Sequence, residues 1–269
     1  MVDINVLEAG YARLFHTLVD WGRTQDSVQA MYVSGSLAKG TADAYSDLDL
    51  VIVVLETEVN TLLDDVLEVI GTVEPVVLEY RLHPLEGICV LSIVTDKWHR
   101  LDLVFGGSDS GILNQLLIPV FDPERLWDGT FSEEDPSPVS SDEVIKLATE
   151  FLRVLGLSSV VNGRGDVHVG HEGANLLRNM LIELLLMEPP RRTRPSAKKL
   201  LPILNDEQTA VLRGLPPVAD DLEILNTFST SLACIFLPRA RKLIESLGGV
   251  WPAELEDATR AYLSGTLEI

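Results

Sequence analysis

The chain has 269 residues, 46% of them hydrophobic, which is enough to bury a sizeable core in two domains or one large one and excludes a disordered chain. Its 41 acidic residues against 21 basic ones leave a net charge of −20. Lys and Arg contacts to phosphate supply most non-specific nucleic-acid affinity, so this balance speaks against an unassisted nucleic-acid partner and favours a small cationic one.

Val6, Leu7, Leu14, Phe15, Leu18 and Val19 recur at helical spacing and predict an amphipathic helix over 3–22. Gln29–Val33 reads as a short strand, Gly35-Ser36 as a turn opening a short helix, and Leu48–Leu55 as a buried strand. Glu58–Ile70 is helical, with a stop at Gly71. The runs Val76–Leu82, Ile88–Val94 and Leu101–Phe105 are β-rich and joined by turns at 84–87 and 95–98. Phe131–Pro138, rich in acids and prolines, reads as a linker. Beyond it the periodicity is helical over 141–156, 171–187, 206–213, about 219–246 with a kink at Pro238, and 252–264. The expected fold is α+β: a domain at 1–135 with a mixed sheet flanked by helices, and an all-α bundle at 136–269.

The densest chemistry lies in residues 34–50, Ser-Gly-Ser-Leu-Ala-Lys-Gly-Thr-Ala-Asp-Ala-Tyr-Ser-Asp-Leu-Asp-Leu. Side chains at i and i+2 of a strand face the same way, so Asp47 and Asp49 project together. Adjacent carboxylates repel unless a cation lies between them, and hard divalent cations such as Mg²⁺ prefer carboxylate oxygen. An Asp inside Leu-Asp-Leu-Val-Ile-Val-Val-Leu is costly to bury without a cation or donors. Gly35 lets the backbone approach a ligand, and Ser36 opens a helix whose free N–H groups favour phosphate. A two-ion transfer site needs a further carboxylate, and Leu101-Asp102-Leu103-Val104 repeats the pattern, which makes Asp102 the third candidate. Glu79 competes for that place and is also a candidate for acceptor contact. Lys39 and Ser46 are candidates for nucleotide contact, and Lys97, His99 and Arg100 form a basic knot before Asp102.

Gly35-Ser36, a ten-residue spacer and Asp47-Leu-Asp49-Leu resemble the signature of the DNA polymerase β-like nucleotidyltransferase superfamily. With Asp102 and a helical bundle behind, the chain looks most like the bacterial aminoglycoside and lincosamide nucleotidyltransferases. The resemblance implies that Gly35 and Ser36 touch the triphosphate of ATP or another NTP. It implies that Asp47 and Asp49 bind Mg²⁺, two ions in all, and that Asp102 completes the metal site or serves as base. It also implies transfer of a nucleoside monophosphate to a hydroxyl of a small molecule.

The acceptor must be sought in the helical half, where the glycine-rich segment 162–175 reads as a polar loop carrying Asp166, His168, His171 and Glu172. Arg164 and His171 also fit the Arg-x4–6-His spacing of HEPN-type ribonucleases. Two rival readings are a non-catalytic, antitoxin-like interaction module and a protein- or tRNA-directed transferase, the latter kept alive by the basic patch Arg191, Arg192, Arg194, Lys198 and Lys199. Cys89 and Cys234 sit in apolar contexts without CxxC spacing, as in a reduced intracellular protein. The acidic N-terminus lacks signal-peptide character, and no apolar run approaches the ~18 to 20 residues of a bilayer span, so the expectation is a cytoplasmic protein with no membrane partner. The oligomeric state is left open.

Overall fold

The computed structural model describes residues 3–55, 59–131, 137–192 and 200–267. The chain divides into two compact units, Met1–Glu133 and Glu134–Ile269, the first α+β and the second helical.

The first unit runs α1 (Gly10–Thr24), β1 (Val28–Val33), α2 (Gly35–Ala38), β2 (Leu48–Val54), α3 (Val59–Val73), β3 (Val76–Leu85), β4 (Ile88–Thr95), β5 (Arg100–Gly106) and β6 (Ile118–Phe121). Six strands form one mixed sheet in the order β3-β4-β5-β2-β1-β6. Among the described residues only β2 and β5 pair in parallel, and the tetrapeptides they share, Leu-Asp-Leu-Val at 48–51 and 101–104, lie in register residue for residue. On one face Leu50, Ile52, Leu91, Leu103 and Phe105 pack against Leu14 and Leu18 of α1 and Leu63 and Val66 of α3. Each such burial contributes about 1.5–3 kcal/mol. The other face is covered in part by the segment after β5, whose Ile112, Leu117 and Trp127 meet Tyr32, Val51 and Val53. Alternation along β2 therefore puts Asp49 on this second face, away from α1 and α3.

Several boundaries differ from the sequence expectation. The first helix begins at Gly10, because Asp3 accepts a hydrogen bond from Asn5 N at 3.1 Å and closes a separate 3₁₀ turn at Ile4–Val6. The third helix runs through Gly71 and stops before Pro75, which disfavours helical backbone in the residue preceding it. Strand β6 was hidden by Pro119, which an edge strand tolerates. The expected linker falls largely on 132–136, outside the described residues.

The second unit contains α4 (Ser141–Arg164), α5 (Val167–Met187), α6 (Asp206–Arg213), α7 (Leu222–Ser246) and α8 (Ala253–Leu263). The cap of α4 is Ser140: its Oγ accepts from Glu143 N while Glu143 Oε2 accepts from Ser140 N at 2.8 Å. Residues 162–175 are not a polar loop. Helix α4 continues to Arg164, Gly165 turns the chain in the left-handed region at φ 67°, and Asp166 caps α5 by accepting from Val169 N at 3.1 Å. Pro238 lies within a continuous α7. At the bundle core Phe151 and Phe236 stack with centroids 3.8 Å apart and planes within 2°. Buried Glu256 accepts from Trp251 Nε1 at 2.6 Å, from Nε and Nη2 of Arg260, and from Arg241. Among the described residues no helix is long and apolar enough to cross a membrane. Both cysteines are free; Cys89 is buried, whereas Cys234 is exposed despite its apolar neighbours.

Candidate active site

Parallel pairing sets Asp49 directly beside Asp102, and Asp47 precedes β2 on the same side of the alternation. The three carboxylates, each half-buried, present oxygens that all lie within 4.8 Å of one another. Antiparallel β4 adds Ser92, in register with Asp102, and Ser92 Oγ donates to Asp102 Oδ1 at 2.6 Å. Ser92 escaped the sequence reading. Its only signal was a hydroxyl inside the apolar run Val-Leu-Ser-Ile-Val.

The Gly35-Ser36 turn sits against this cluster. Ser34 N donates to the backbone oxygen of Asp49 at 3.0 Å, stitching the turn to β2. Gly35 adopts φ +58°, and a Cβ there would fall 1.9 Å from Asp49 Oδ2, so both backbone and carboxylate demand glycine. Ser36 Oγ is buried with no hydrogen-bond partner among the described residues, a position suited to an oxygen-bearing ligand. Lys39 is exposed and closes α2 through its backbone N–H to Gly35 O at 3.1 Å. The buried Ser46 hydroxyl is engaged by Asp43, accepting from its N–H at 3.0 Å and donating to its carboxylate at 3.1 Å, so it shapes the loop leading to Asp47.

The basic knot before Asp102 is structural. Arg100 Nη2 donates to Tyr45 O at 2.7 Å, and Arg100 N donates to Tyr11 Oη at 3.0 Å, which holds the loop before Asp47 to β5 and α1. Lys97 lies 3.3 Å from Glu74. Buried His99 meets Glu74 through Nδ1 at 2.6 Å, and Thr95 Oγ1 donates to the same carboxylate at 2.8 Å. Burial alone would raise the Glu74 carboxyl, but hydrogen bonds from His99, Thr95 and Lys97 outweigh it and hold the group below its ordinary 4.5. Glu79 does not join the triad. It is paired with Ile93, which belongs to the helix-side core, so the sheet separates it from Asp102; its carboxylate lies 3.4 Å from Arg81, which also binds Asp64 of α3 at 2.7 Å.

Within the helical unit, Asp166 is used as a cap, His168 is exposed, and His171 lies 3.0 Å from Asp220. Glu172 lines a cavity of about 160 Å³ between α4, α5 and α7, together with Arg153, Asn162 and Asn226. Asn162 and Asn226 exchange amide hydrogen bonds, both 2.8 Å. In the basic patch, Arg191 is bound to Ser137 O and Glu143 and Arg192 contacts Gln208; Arg194, Lys198 and Lys199 lie outside the described residues.

Three converging carboxylates fit a hard divalent cation, whose charge would offset their mutual repulsion and which takes oxygen ligands only. Among solved structures, the chain is similar to an aminoglycoside 6-adenyltransferase from Bacillus subtilis, at 12% identity and TM-score 0.45, over 93% of this chain and 96% of that one. It is also similar to the Cid1 poly(U) polymerase, at 16% identity and TM-score 0.31 over 81% and 64%. Terminal uridylyl transferase 4 from Trypanosoma brucei resembles it at 14% identity and TM-score 0.27 over 87% and 69%. These likenesses are distant, and none bears on the acceptor. No curated protein matches the sequence. Residues 21–108 match the nucleotidyltransferase domain family. That stretch begins within α1 and ends just past β5, taking in all three carboxylates, Ser92 and the turn that faces them. The chain carries a nucleotidyltransferase domain at residues 21–108 and is, through it, a nucleotidyltransferase enzyme.

Proposed function

We propose that the protein transfers AMP from ATP to a hydroxyl of a small molecule and releases pyrophosphate. The observation that carries this reading is the in-register pair Asp49 and Asp102, joined by Asp47 within 4.8 Å. These three carboxylates would hold Mg²⁺, two ions in all, and the metal when bound supplies charge neutralisation for the triphosphate and the developing transition state. Ser36, whose buried hydroxyl has no partner among the described residues, donates to a phosphate oxygen, and Gly35 keeps the turn close enough for it to do so. Lys39 adds a positive charge at the exposed end of the same turn. The acceptor oxygen attacks the α-phosphorus in line, the bond to pyrophosphate breaks, and the hydroxyl proton passes to the oxygen of Asp102 that Ser92 does not hold.

The acceptor is a compact, hydroxyl-rich and cationic molecule of the aminoglycoside or lincosamide kind. The net charge of −20 favours such a partner over RNA, and the described arginines of the basic patch are already bound within the helical unit. We place the acceptor's binding residues in that unit, residues 136–269, with Glu172 the best-placed of the predicted group because it lines the cavity between α4, α5 and α7. The compartment consistent with this chemistry is the cytoplasm, where ATP is supplied.

A panel of aminoglycosides, lincosamides and tRNA incubated with α-labelled ATP and Mg²⁺ tests the reading. Label should appear on a small molecule together with stoichiometric pyrophosphate. Label on tRNA alone, or on none of the panel while pyrophosphate stays at background, would contradict it.

A further inference from the structure

Strand β3 is ten residues long and lies at the edge of the sheet, with β4 on one side only. Edge strands are ordinarily blunted by shortness, by Lys or Pro, or by bulges, because their open N–H and C=O groups invite pairing. Here the register shifts lie at the two ends, between Val76 and Leu78 and between Leu82 and Leu85, and leave Leu78–Leu82 regular. Both faces of the strand carry exposed apolar side chains, Val77, Leu78, Tyr80, Leu82 and Leu85, from 43% exposed at Leu82 to 66% at Leu85. An isolated surface leucine is ordinary, but five such residues along one edge strand are not.

The regular stretch reads Leu-Glu-Tyr-Arg-Leu. It is self-complementary when read against itself in the antiparallel sense. With a two-fold axis at Tyr80, Leu78 of one copy faces Leu82 of the other, Glu79 faces Arg81, and Tyr80 faces its own equivalent. The bulges then fall symmetrically outside the paired segment. Arg81 is already braced by Asp64 at 2.7 Å on the helix side of the sheet, the side that Glu79 shares, so the guanidinium is held where a second Glu79 would arrive. Directly opposed residues in an antiparallel pair lie about 4.5–5.5 Å apart, within reach of such ionic and apolar contacts. The geometry points to a homodimer in which two β3 strands pair edge to edge about Tyr80, joining the two sheets into one. The pairing is isologous, uses the same five residues twice and closes on itself, so it ends at two copies. Tyr80 is in register with Ser92, the neighbour of Asp102, so the proposal is tested by mass and cross-linking rather than by turnover.

The test uses the full chain at about 0.15 M salt, where a Debye length of about 8 Å screens the repulsion between two acidic copies. Light scattering over a concentration series should rise from the 29.6 kDa of one chain toward twice that mass. Tyr80→Lys places like charges opposite each other on the axis and should remain monomeric, with its circular dichroism and melting temperature retained. In a Cys234→Ser background, Tyr80→Cys should form a disulfide-linked dimer under oxidised glutathione, since the opposed Cα distance falls within the disulfide range. Val77→Cys should not, because its own equivalent lies roughly 20 Å along the paired strands. A monomer at every concentration overturns the proposal, as does a dimer that persists in Tyr80→Lys. Equal cross-linking of the two cysteine variants would assign the dimer to another surface or register.

Discussion

Gly35 and Asp49 share one space: a Cβ on Gly35 would sit 1.9 Å from Asp49 Oδ2, and the glycine backbone is in the left-handed region at φ +58°. Gly35→Ala therefore strains the turn and displaces a carboxylate of the triad at once. The expected result is a stability loss of about 1–2 kcal/mol, and a fall in nucleotidyl transfer of roughly 100-fold or more, out of proportion to the unfolded fraction. Denaturation midpoints and turnover on the same preparation check it; activity near wild type would show that the turn and Asp49 move independently.

Ser92 holds Asp102 at 2.6 Å from the neighbouring strand. A hydrogen bond to a charged group contributes about 1.5–3 kcal/mol, so Ser92→Ala should lower kcat by roughly tenfold to a hundredfold if that contribution is expressed in the transition state. Ser92→Thr keeps the hydroxyl and should recover most of the loss. The KM for ATP should change less than kcat, since the hydrogen bond orients Asp102 rather than the nucleotide.

Glu74 ties the end of α3 to the turn between β4 and β5 through His99, Thr95 and Lys97. Its carboxyl is held below 4.5 in the folded protein, so the folded state binds its proton less readily than the unfolded state does. The stabilisation is fully present above about 4.5 and is lost as pH falls through the lower folded value. Glu74→Gln should cost about 2–3 kcal/mol near neutral pH, and the gap to wild type should narrow below pH 4.5. Urea midpoints at pH 7 and at successive steps down to pH 3 measure this; a gap independent of pH would contradict it.

In the helical unit the stacked pair Phe151 and Phe236 is fully buried. Phe236→Ala leaves a cavity against Phe151 and should destabilise this unit by about 3–5 kcal/mol. Thermal unfolding followed by circular dichroism should show the loss as an earlier transition.

The carboxylate cluster was legible because its chemistry contradicts its surroundings. Asp49 and Asp102 are charged residues in runs that otherwise spell buried strands, and the repeated Leu-Asp-Leu-Val announced that the two strands are equivalent. Sequence alone leaves the register of the two strands open, since it depends on the crossover through α3, β3 and β4. Ser92 and Glu74 were missed for a related reason: each gains its meaning from a partner at least ten residues away. Residues 162–175 misled because Gly163, Gly165, Gly170 and Gly173 read as loop, whereas Gly170 packs close to Leu225 of α7 and only Gly165 turns the chain. Ser46 was a candidate for nucleotide contact and Glu79 a rival to Asp102, and the structure shows them engaged by Asp43 and Arg81.

Asp47, Asp49 and Asp102 are proposed to act together in metal-dependent nucleotidyl transfer. Pyrophosphate release from ATP, measured with and without Mg²⁺ on wild type, Asp49→Asn and Asp102→Asn in the presence of an acceptor found by the label panel, tests it most directly. Turnover should require Mg²⁺ and fall by at least 100-fold in either variant while the fold is retained. Turnover surviving near the wild-type rate in Asp49→Asn, or proceeding unchanged after chelation of divalent ions, would contradict it.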